Sequence, residues 1–415
     1  MHIYKYIIAG AGPIGYHVFN IFKDKSIMIT GFTKKKISSK NLHPKIKLQV
    51  NKYTNKFSDL YRSEGNEFHI YSSSEIGGNT NYWGKKFFDY NINDPWPKEI
   101  FKSYKVYEKN LRKIDKIYHS KKANVINSVN AGKLKINQIQ PPLVTNSIVK
   151  KSIINKNSNK VIQDRIISFR KIKKNLFIIN TENTNFYCRN LILCAGPIGN
   201  ALILLRSFIK IKYVKFKDHN PRVLIGFRIK NFFIKNDNNN QVLDFEIVKN
   251  NKILNYLTIY NLNFNHFKKF YRPLLSFFKN IINKFFYYGQ FWVVDEYNEI
   301  KIINNETIQV NGKNKIKNKK NIYLINNIKK IGLNIIKILS LKKAYGFHYH
   351  CLEVNYGGQL LSLNKFLNKM RMSKNIYCFD SSVISKIGIK PPTKTYIAVA
   401  NYLAEKLAIA SLKNK

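Results

Sequence analysis

The sequence predicts an α/β protein of two lobes, one built on a parallel sheet with helices and a smaller β-layer, the other on an antiparallel sheet. Three observations predict it. An apolar run from Tyr4 to Ala9 is followed at once by the glycine loop Gly10-Ala11-Gly12-Pro13-Ile14-Gly15 and by apolar residues at helical spacing from Tyr16 to Phe22. A second apolar run, Ser26 to Thr30, comes directly after that helix, as a parallel crossover requires. From Asn220 to about Lys343 the glycines thin out, and strand-like segments separated by polar Asn/Lys loops dominate.

The remaining elements follow in order. Thr33 to Lys56 is basic and poorly periodic and reads as a loop or excursion. Strand character resumes at Glu67 to Tyr71, and Gly77-Gly78 opens a turn ending in Tyr82-Trp83-Gly84. After Trp96-Pro97 an amphipathic helix is expected from Lys98 to Ile114, with Ile100, Phe101, Tyr104, Tyr107 and Leu111 on one face. Lys160 to Asn185 alternate as hairpin strands do and lead into the buried-strand run Leu191-Ile192-Leu193-Cys194-Ala195-Gly196. A helix from Ile198 to Phe208 comes next. In the second lobe Val242 to Val248 and Ile253 to Tyr260 read as strands, and Phe277 to Val294 as a core helix running into a strand. The Asn-rich run Asn236 to Asn240 and the Lys/Asn run Asn311 to Asn321 read as solvated loops, and a helix from Thr395 closes the chain.

Composition narrows the function classes. With 415 residues, 44% hydrophobic and 14% aromatic, the chain can build two cores and is globular rather than disordered. A formal charge of +49 would ordinarily point to nucleic acid or an anionic membrane, because clustered Lys and Arg release counterions from phosphate. Here lysine, asparagine and isoleucine are abundant in strands, loops and helices alike, which is a compositional bias rather than a basic stripe, and no nucleic-acid partner is expected. A basic protein that binds an anionic membrane or nucleic acid stays open as an alternative. No apolar run reaches the roughly 18 residues of a membrane-spanning helix. Phe277 to Val294 comes nearest, and Lys279, Asn280 and Lys284 interrupt it. The N-terminus has no basic region followed by an apolar stretch and a cleavage site, so no secretory signal is expected. Cys188, Cys194, Cys351 and Cys378 show no CxxC spacing, which fits free thiols in a reducing, cytoplasmic setting, with peripheral contact to the inner face of the membrane left open.

Each glycine of the first loop has a physical task. Gly10 permits the tight turn, Gly12 lets backbone approach a pyrophosphate, and Gly15 lets helix and sheet pack closely. Pro13 and Ile14 open a helix whose exposed N–H groups would receive the diphosphate. Strand before and helix after the loop make the first lobe Rossmann-like and dinucleotide-binding. The acidic residue that usually holds the ribose, about 20 residues further on, is missing. No Asp or Glu occurs between Asp24 and Asp59, and Thr30-Gly31 occupies the place.

Four further patches join the glycine loop. They are Gly77-Gly78-Asn79-Thr80-Asn81-Tyr82-Trp83-Gly84; Leu193-Cys194-Ala195-Gly196-Pro197-Ile198 followed by Leu204-Leu205-Arg206-Ser207; Asp218-His219; and a C-terminal block. The block holds His348-Tyr349-His350, Phe379-Asp380-Ser381-Ser382-Val383 and Pro392-Thr393-Lys394-Thr395. In this order the patches resemble the glucose-methanol-choline (GMC) oxidoreductases, and the chain resembles a short, divergent member of that family. The resemblance implies FAD as cofactor, held by Gly10, Gly12, Pro13, Ile14 and Gly15 and by Thr30 in place of the acid. It implies that Gly77, Gly78, Asn79, Asn81 and Trp83 lie along the flavin and that Val161, Ala195 and Gly196 contribute to the pocket. It also implies that Asp380-Ser381 presents backbone N–H groups to the diphosphate and that Pro392-Thr393 opens a helix aimed at the isoalloxazine.

The same resemblance implies oxidation of a CH–OH group, in an alcohol or a sugar, by hydride transfer to flavin N5 while a histidine takes the proton. A neutral imidazole, with its ordinary pKa of about 6.5, suits that task. Tyr349-His350 best matches the family's Tyr-His or His-His position, so His350 is the first candidate base and His348 the second. In a strand these two would share one face. The family's second catalytic position, Asn or His just before a Pro-Thr element, falls on Pro391, whose side chain has neither donor nor acceptor. A degenerate FAD-binding protein with little or no catalysis is therefore the alternative. Asp218 and His219 are sequence neighbours, poorly placed for a dyad, and are read as structural. The substrate is expected to be a small alcohol or carbohydrate, the electron acceptor is unspecified, and no metal-ligand spacing occurs. The cofactor lobe is expected over residues 1–95, 145–219 and 344–415, a helical excursion over 96–144, and the substrate lobe over 220–343.

Overall fold

The first strand, β1 (Ile3–Ala9), stops at Gly10, whose φ of +102° is a conformation that L side chains rarely adopt, and the chain turns there into α1 (Pro13–Phe22). The computed structural model of the protein describes residues 2–31, 76–78, 86–120, 123–140, 158–219, 222–228, 242–261, 276–278, 285–294, 297–303, 308–312, 329, 333–340 and 348–413. The expectations for Thr33 to Lys56, Glu67 to Tyr71, Asn79, Asn81, Trp83 and Asn236 to Asn240 lie outside the described residues.

After α1 come β2 (Ser26–Thr30), α2 (Tyr104–Tyr118), β3 (Asn124–Ala131) and β4 (Leu134–Gln140). Next are β5 (Val161–Gln163), β6 (Ile166–Lys173), β7 (Leu176–Thr181), β8 (Asn185–Leu193), α3 (Gly196–Ser207) and β9 (Ile211–His219). The middle of the chain adds β10 (Arg222–Arg228), β11 (Val242–Lys249), β12 (Lys252–Asn261), β13 (Phe286–Val293), β14 (Tyr297–Ile303), β15 (Ile308–Gly312) and β16 (Leu333–Ser340). The C-terminal part holds β17 (His350–Tyr356), β18 (Gln359–Ser362), α4 (Leu363–Lys369), β19 (Ile376–Cys378) and α5 (Thr393–Lys413).

Three sheets result. The first runs β5-β2-β1-β8-β7-β6, with β19 beside β8. Its β5, β2, β1, β8 and β19 are parallel, whereas β6 and β7 are an antiparallel extension. The strand β8 changes partner along one edge: Phe186 to Cys188 face β7, and Leu191 to Leu193 face β19. The second sheet, β16-β10-β13-β12-β11-β4-β3, and the third, β15-β14-β9-β17-β18, are antiparallel throughout. The α/β class with a parallel sheet and antiparallel sheets is therefore the one the sequence predicts.

Two local expectations change. The helix expected from Lys98 begins at Tyr104, because Ser103 accepts the Val106 N–H as N-cap and Pro97 first closes turns onto Ile100 and Phe101. Residues 124–140, expected within a helical excursion, form the β3–β4 hairpin and extend the second sheet through β4 and β11. Their pattern explains it: Leu134, Ile136 and Ile139 are buried while Lys135 is exposed, and Gly132 turns at φ +64°. Of Phe277 to Val294, expected as a core helix running into a strand, the strand is β13, and residues 279–284 lie outside the described residues.

The first sheet is covered on both faces. On one side Ile7, Ile29, Leu191 and Leu193 pack with α3, β9 and β17 in a core that includes Leu204, Phe216 and Val354. On the other, Ile8, Met28 and Ile192 pack with α1, α2 and α5 around Phe19, Tyr107 and Val399. Full burial of both faces is what a parallel sheet demands of its strands. Among the described residues no helix is long and apolar enough to cross a membrane, and no group of His, Cys, Asp and Glu could hold a metal ion.

Candidate active site

A cradle forms where β1, β2, β8 and β19 reach their C-terminal ends, the position where open α/β sheets bind ligands. A Cβ at Gly10 would lie 2.6 Å from the Cys194 carbonyl oxygen, and one at Gly15 would lie 1.9 Å from the Gly10 carbonyl oxygen, so both positions exclude any side chain. Gly12 differs: a Cβ there would meet nothing within 4 Å. The helix α1 starts at Gly12 with no side-chain cap and Pro13 in its first turn, leaving N–H donors at an open N-terminus. Closed glycines beneath and an open one above are the fit a diphosphate needs. The Gly77 N–H donates to the Ala11 carbonyl at 2.7 Å, which brings Gly77 and Gly78 onto the same loop.

Asp380 ties this cradle together. Its Oδ2 accepts from the Gly196 N–H at 2.7 Å and from Asn200 Nδ2 at 2.9 Å, while Oδ1 accepts from the Ser382 N–H at 2.9 Å. Burial pushes its pKa up, and the hydrogen bonds from Ser382, Cys378 and Gly196 oppose that. The carboxylate therefore binds the β8–α3 turn, where Ala195 and Gly196 lie, to the turn Ser381–Val383.

The three histidines meet at one end of the third sheet. His219 ends β9, His350 begins β17 and His348 precedes it, with Tyr297 at the start of β14 opposite His219. The His219 ring lies 5.4 Å from His348, 5.9 Å from His350 and 4.7 Å from Tyr297, and the Tyr297 ring is 5.3 Å from His350. His348 lies in a bend before β17, so the strand alternation expected to set it on one face with His350 does not extend to it. Beyond His350, Cys351 takes φ +57° and the pairing of β17 with β9 shifts between His350 and Glu353, a bulge at the start of the strand.

Hydrogen bonds fix the tautomers. A carbonyl only accepts, so His350 Nδ1 donates to the His348 carbonyl at 2.8 Å and His219 Nε2 donates to the Gly388 carbonyl at 3.0 Å. His350 Nε2 then carries a lone pair; it is buried and has no partner among the described residues. The His348 N–H donates to Asp218 Oδ1 at 3.0 Å, its Nδ1 is likewise buried without a partner, and its ring stacks on Trp292 at 6.1 Å. Burial, then His219, pushes His350 down to about 3, and burial with both neighbouring histidines holds His348 well below the ordinary imidazole range.

A strap before α5 borders the cluster. Gly388 and Lys390 carbonyls lie 3.0 and 2.9 Å from the Tyr90 hydroxyl, and the Ile387 carbonyl accepts from Tyr297 at 3.4 Å. Lys390 Nζ reaches Asp94 at 3.1 Å and Glu246 at 3.4 Å, linking the strap to β11. Pro391 and Pro392 follow, and α5 starts at Thr393 with the Tyr396 N–H donating to the Pro392 carbonyl.

The structure thus brings Gly10, Gly12, Pro13, Ile14, Gly15, Gly77, Gly78, Ala195, Gly196, Asp380 and Ser381 to one cradle, and His348 and His350 to one cluster. Thr30 is buried at the end of β2 beside Gln163. Val161 pairs beside Met28 and packs in the core under α1. The sequence alone does not single out His219, Tyr297, Trp292 and Lys390 as site residues. Asp218-His219 carried the only sequence signal, as a family patch, and nothing short of the sheet pairings would place it on His350.

No family model matches the chain, and no curated protein matches it by sequence. Its fold is similar to the crystal structure of pyridoxine 4-oxidase from Mesorbium loti, with a TM-score of 0.58 and 8% identity, covering 98% of this chain and 99% of that one. At that identity the likeness establishes the fold from end to end, a parallel-strand sheet joined to antiparallel sheets.

Proposed function

We propose that the protein is an FAD-dependent oxidoreductase that oxidises a CH–OH group, in an alcohol or a sugar, with His350 as the proton acceptor. One observation carries the reading more than any other: His350 Nε2 is buried, holds a lone pair and lacks a partner among the described residues. The open cradle at Gly12 and the likeness in fold to an oxidase support the same reading.

Gly10 to Gly15, Gly77, Gly78, Gly196 and the N-terminus of α5 would hold the cofactor. Bound FAD supplies the hydride acceptor, flavin N5. The chain's own part is the proton. As the carbinol gives up hydride and becomes a carbonyl, its hydroxyl proton passes to His350 Nε2, and the His348 carbonyl keeps the opposite nitrogen protonated so that the lone pair stays on the reacting side. Burial of His219, His348 and His350 excludes water from that step. Anaerobic addition of alcohols and sugars to the FAD-loaded protein tests the reading. Bleaching by at least one of them is expected, and a flavin that stays oxidised with all of them would favour the degenerate binder to which Pro391 points.

A further inference from the structure

One face of the second sheet carries polar and aromatic residues that the proton-transfer step does not use. Along β11 and β12, Asp244, Glu246, Tyr256 and Thr258 alternate with Phe245, Ile247, Leu257 and Ile259, and the register sets Asp244 opposite Thr258 and Glu246 opposite Tyr256. The apolar set fills its own core. The other face packs Tyr256 and Trp292 against Phe88 and Ile389, and Trp292 continues to the His348 ring.

Asp244 is fully buried, and its two oxygens differ. Oδ1 accepts from Lys86 Nζ at 2.5 Å, the Tyr256 hydroxyl at 2.6 Å and Thr258 Oγ1 at 2.7 Å. Oδ2 is buried with no partner among the described residues. A bare carboxylate oxygen in an interior forfeits its hydration, and that loss stands until a donor arrives. Three donors on the neighbouring oxygen hold it in place meanwhile, and the Lys86 charge offsets its own. Tyr256 connects this carboxylate to the histidines: its hydroxyl sits on Asp244, its ring lies 5.6 Å from Trp292, and Trp292 stacks on His348. Along that run Trp292 Nε1, His348 Nδ1 and His350 Nε2 are also buried, with no partner among the described residues.

We propose that Asp244 Oδ2 is a second recognition point for the substrate, accepting a hydrogen bond from a donor group carried away from the carbon that His350 serves. The substrate class is then a bifunctional alcohol, whose second group is a hydroxyl or an ammonium. This rests on the reading of His350 as the base, and the two are separable by experiment.

The test uses the FAD-loaded protein, linear α,ω-diols of three to eight carbons, the matching amino alcohols, and the monomethyl ethers of the diols. Binding is read as a shift in melting temperature and turnover as anaerobic bleaching. At one chain length the diol or the amino alcohol is expected to bind about 10-fold or more tightly than the ether, which offers Oδ2 no donor. Whichever of the two binds better identifies the donor. Asp244→Asn, which keeps an oxygen for Lys86 and turns an amide N–H toward the substrate, should reduce the preference below about 3-fold. Equal binding of diol and ether, no binding by any compound, or an unchanged preference in Asp244→Asn overturns the proposal. A preference in melting temperature without bleaching upholds Asp244 and contradicts the oxidation reading, whereas bleaching by all without preference does the reverse. The wild-type comparison decides even if Asp244→Asn does not fold.

Discussion

His350 Nδ1 lies 2.8 Å from the carbonyl oxygen of His348, and this contact determines which ring nitrogen of His350 is bare. A backbone carbonyl two residues away cannot be protonated at working pH, so Nδ1 keeps its hydrogen and Nε2 keeps the lone pair.

The reductive half-reaction should therefore be flat in pH. An imidazole held at about 3 is neutral across the range in which an ordinary histidine titrates. Stopped-flow flavin reduction between about pH 5 and pH 8 should show no inflection from His350. An inflection near about 6.5 that disappears in His350→Gln would contradict the buried tautomer. That variant should keep its flavin and slow reduction by about 100-fold or more, because an amide accepts a hydrogen bond but not a proton.

Stability should fall in acid. The unfolded chain protonates His350 near about 6.5 and the folded chain only near about 3, so the stabilisation is complete above the first value and is lost as pH falls toward the second. At pH 5 this costs about 2 kcal/mol for His350 alone, and His348 and His17, also lowered by burial, act with the same sign. Urea melts from about pH 7 down to about pH 4 should show the decline, and His350→Gln should flatten part of it.

The glycines of the loop should separate folding from cofactor binding. Gly15→Ala places a Cβ against the Gly10 carbonyl and should lower the yield of folded protein, with or without FAD. At Gly12 an added Cβ has nothing within 4 Å among the described residues, so the Gly12→Ala apoprotein should melt as the parent does, and the bulkier Gly12→Val should collapse FAD affinity. A Gly12→Val protein that retained FAD through gel filtration would remove the diphosphate from this cradle.

Asp380→Ala should lose about 3 kcal/mol or more in denaturant melts, because it leaves the Gly196 N–H and Asn200 amide buried without their acceptor. Asp380→Asn keeps one acceptor and should lose less. Both should release FAD faster, through movement of the β8–α3 turn.

Lys390→Met leaves Asp94 and Glu246 buried without their cation, and thermal melts should report about 3 to 5 kcal/mol of destabilisation. Adding Glu246→Gln to that variant should recover part of the loss.

The lobe built on the parallel sheet is legible in sequence because its signals are local. The Gly10 loop, the run from Leu193 to Ile198 and the Asp380 turn each encode a strand, a turn and a helix start within a few residues. The site was legible only in part. His350 stood out beside Tyr349, but His219 reads as structural until β9 and β17 pair and bring residues more than a hundred positions apart into ring contact. The hairpin at 124–140 was lost in a stretch read by its neighbour α2, although Leu134, Ile136 and the Gly132 turn carry its alternation. Lys86 and Lys390 were submerged in the chain's general excess of lysine, and only their burial against Asp244 and Glu246 distinguishes them.

The most direct measurement of the central claim is the visible absorption spectrum of the purified protein after saturation with FAD and removal of free cofactor. The account predicts flavin absorption retained at one equivalent per chain. A protein that is folded by circular dichroism yet retains no flavin, whether purified or reconstituted, would contradict it.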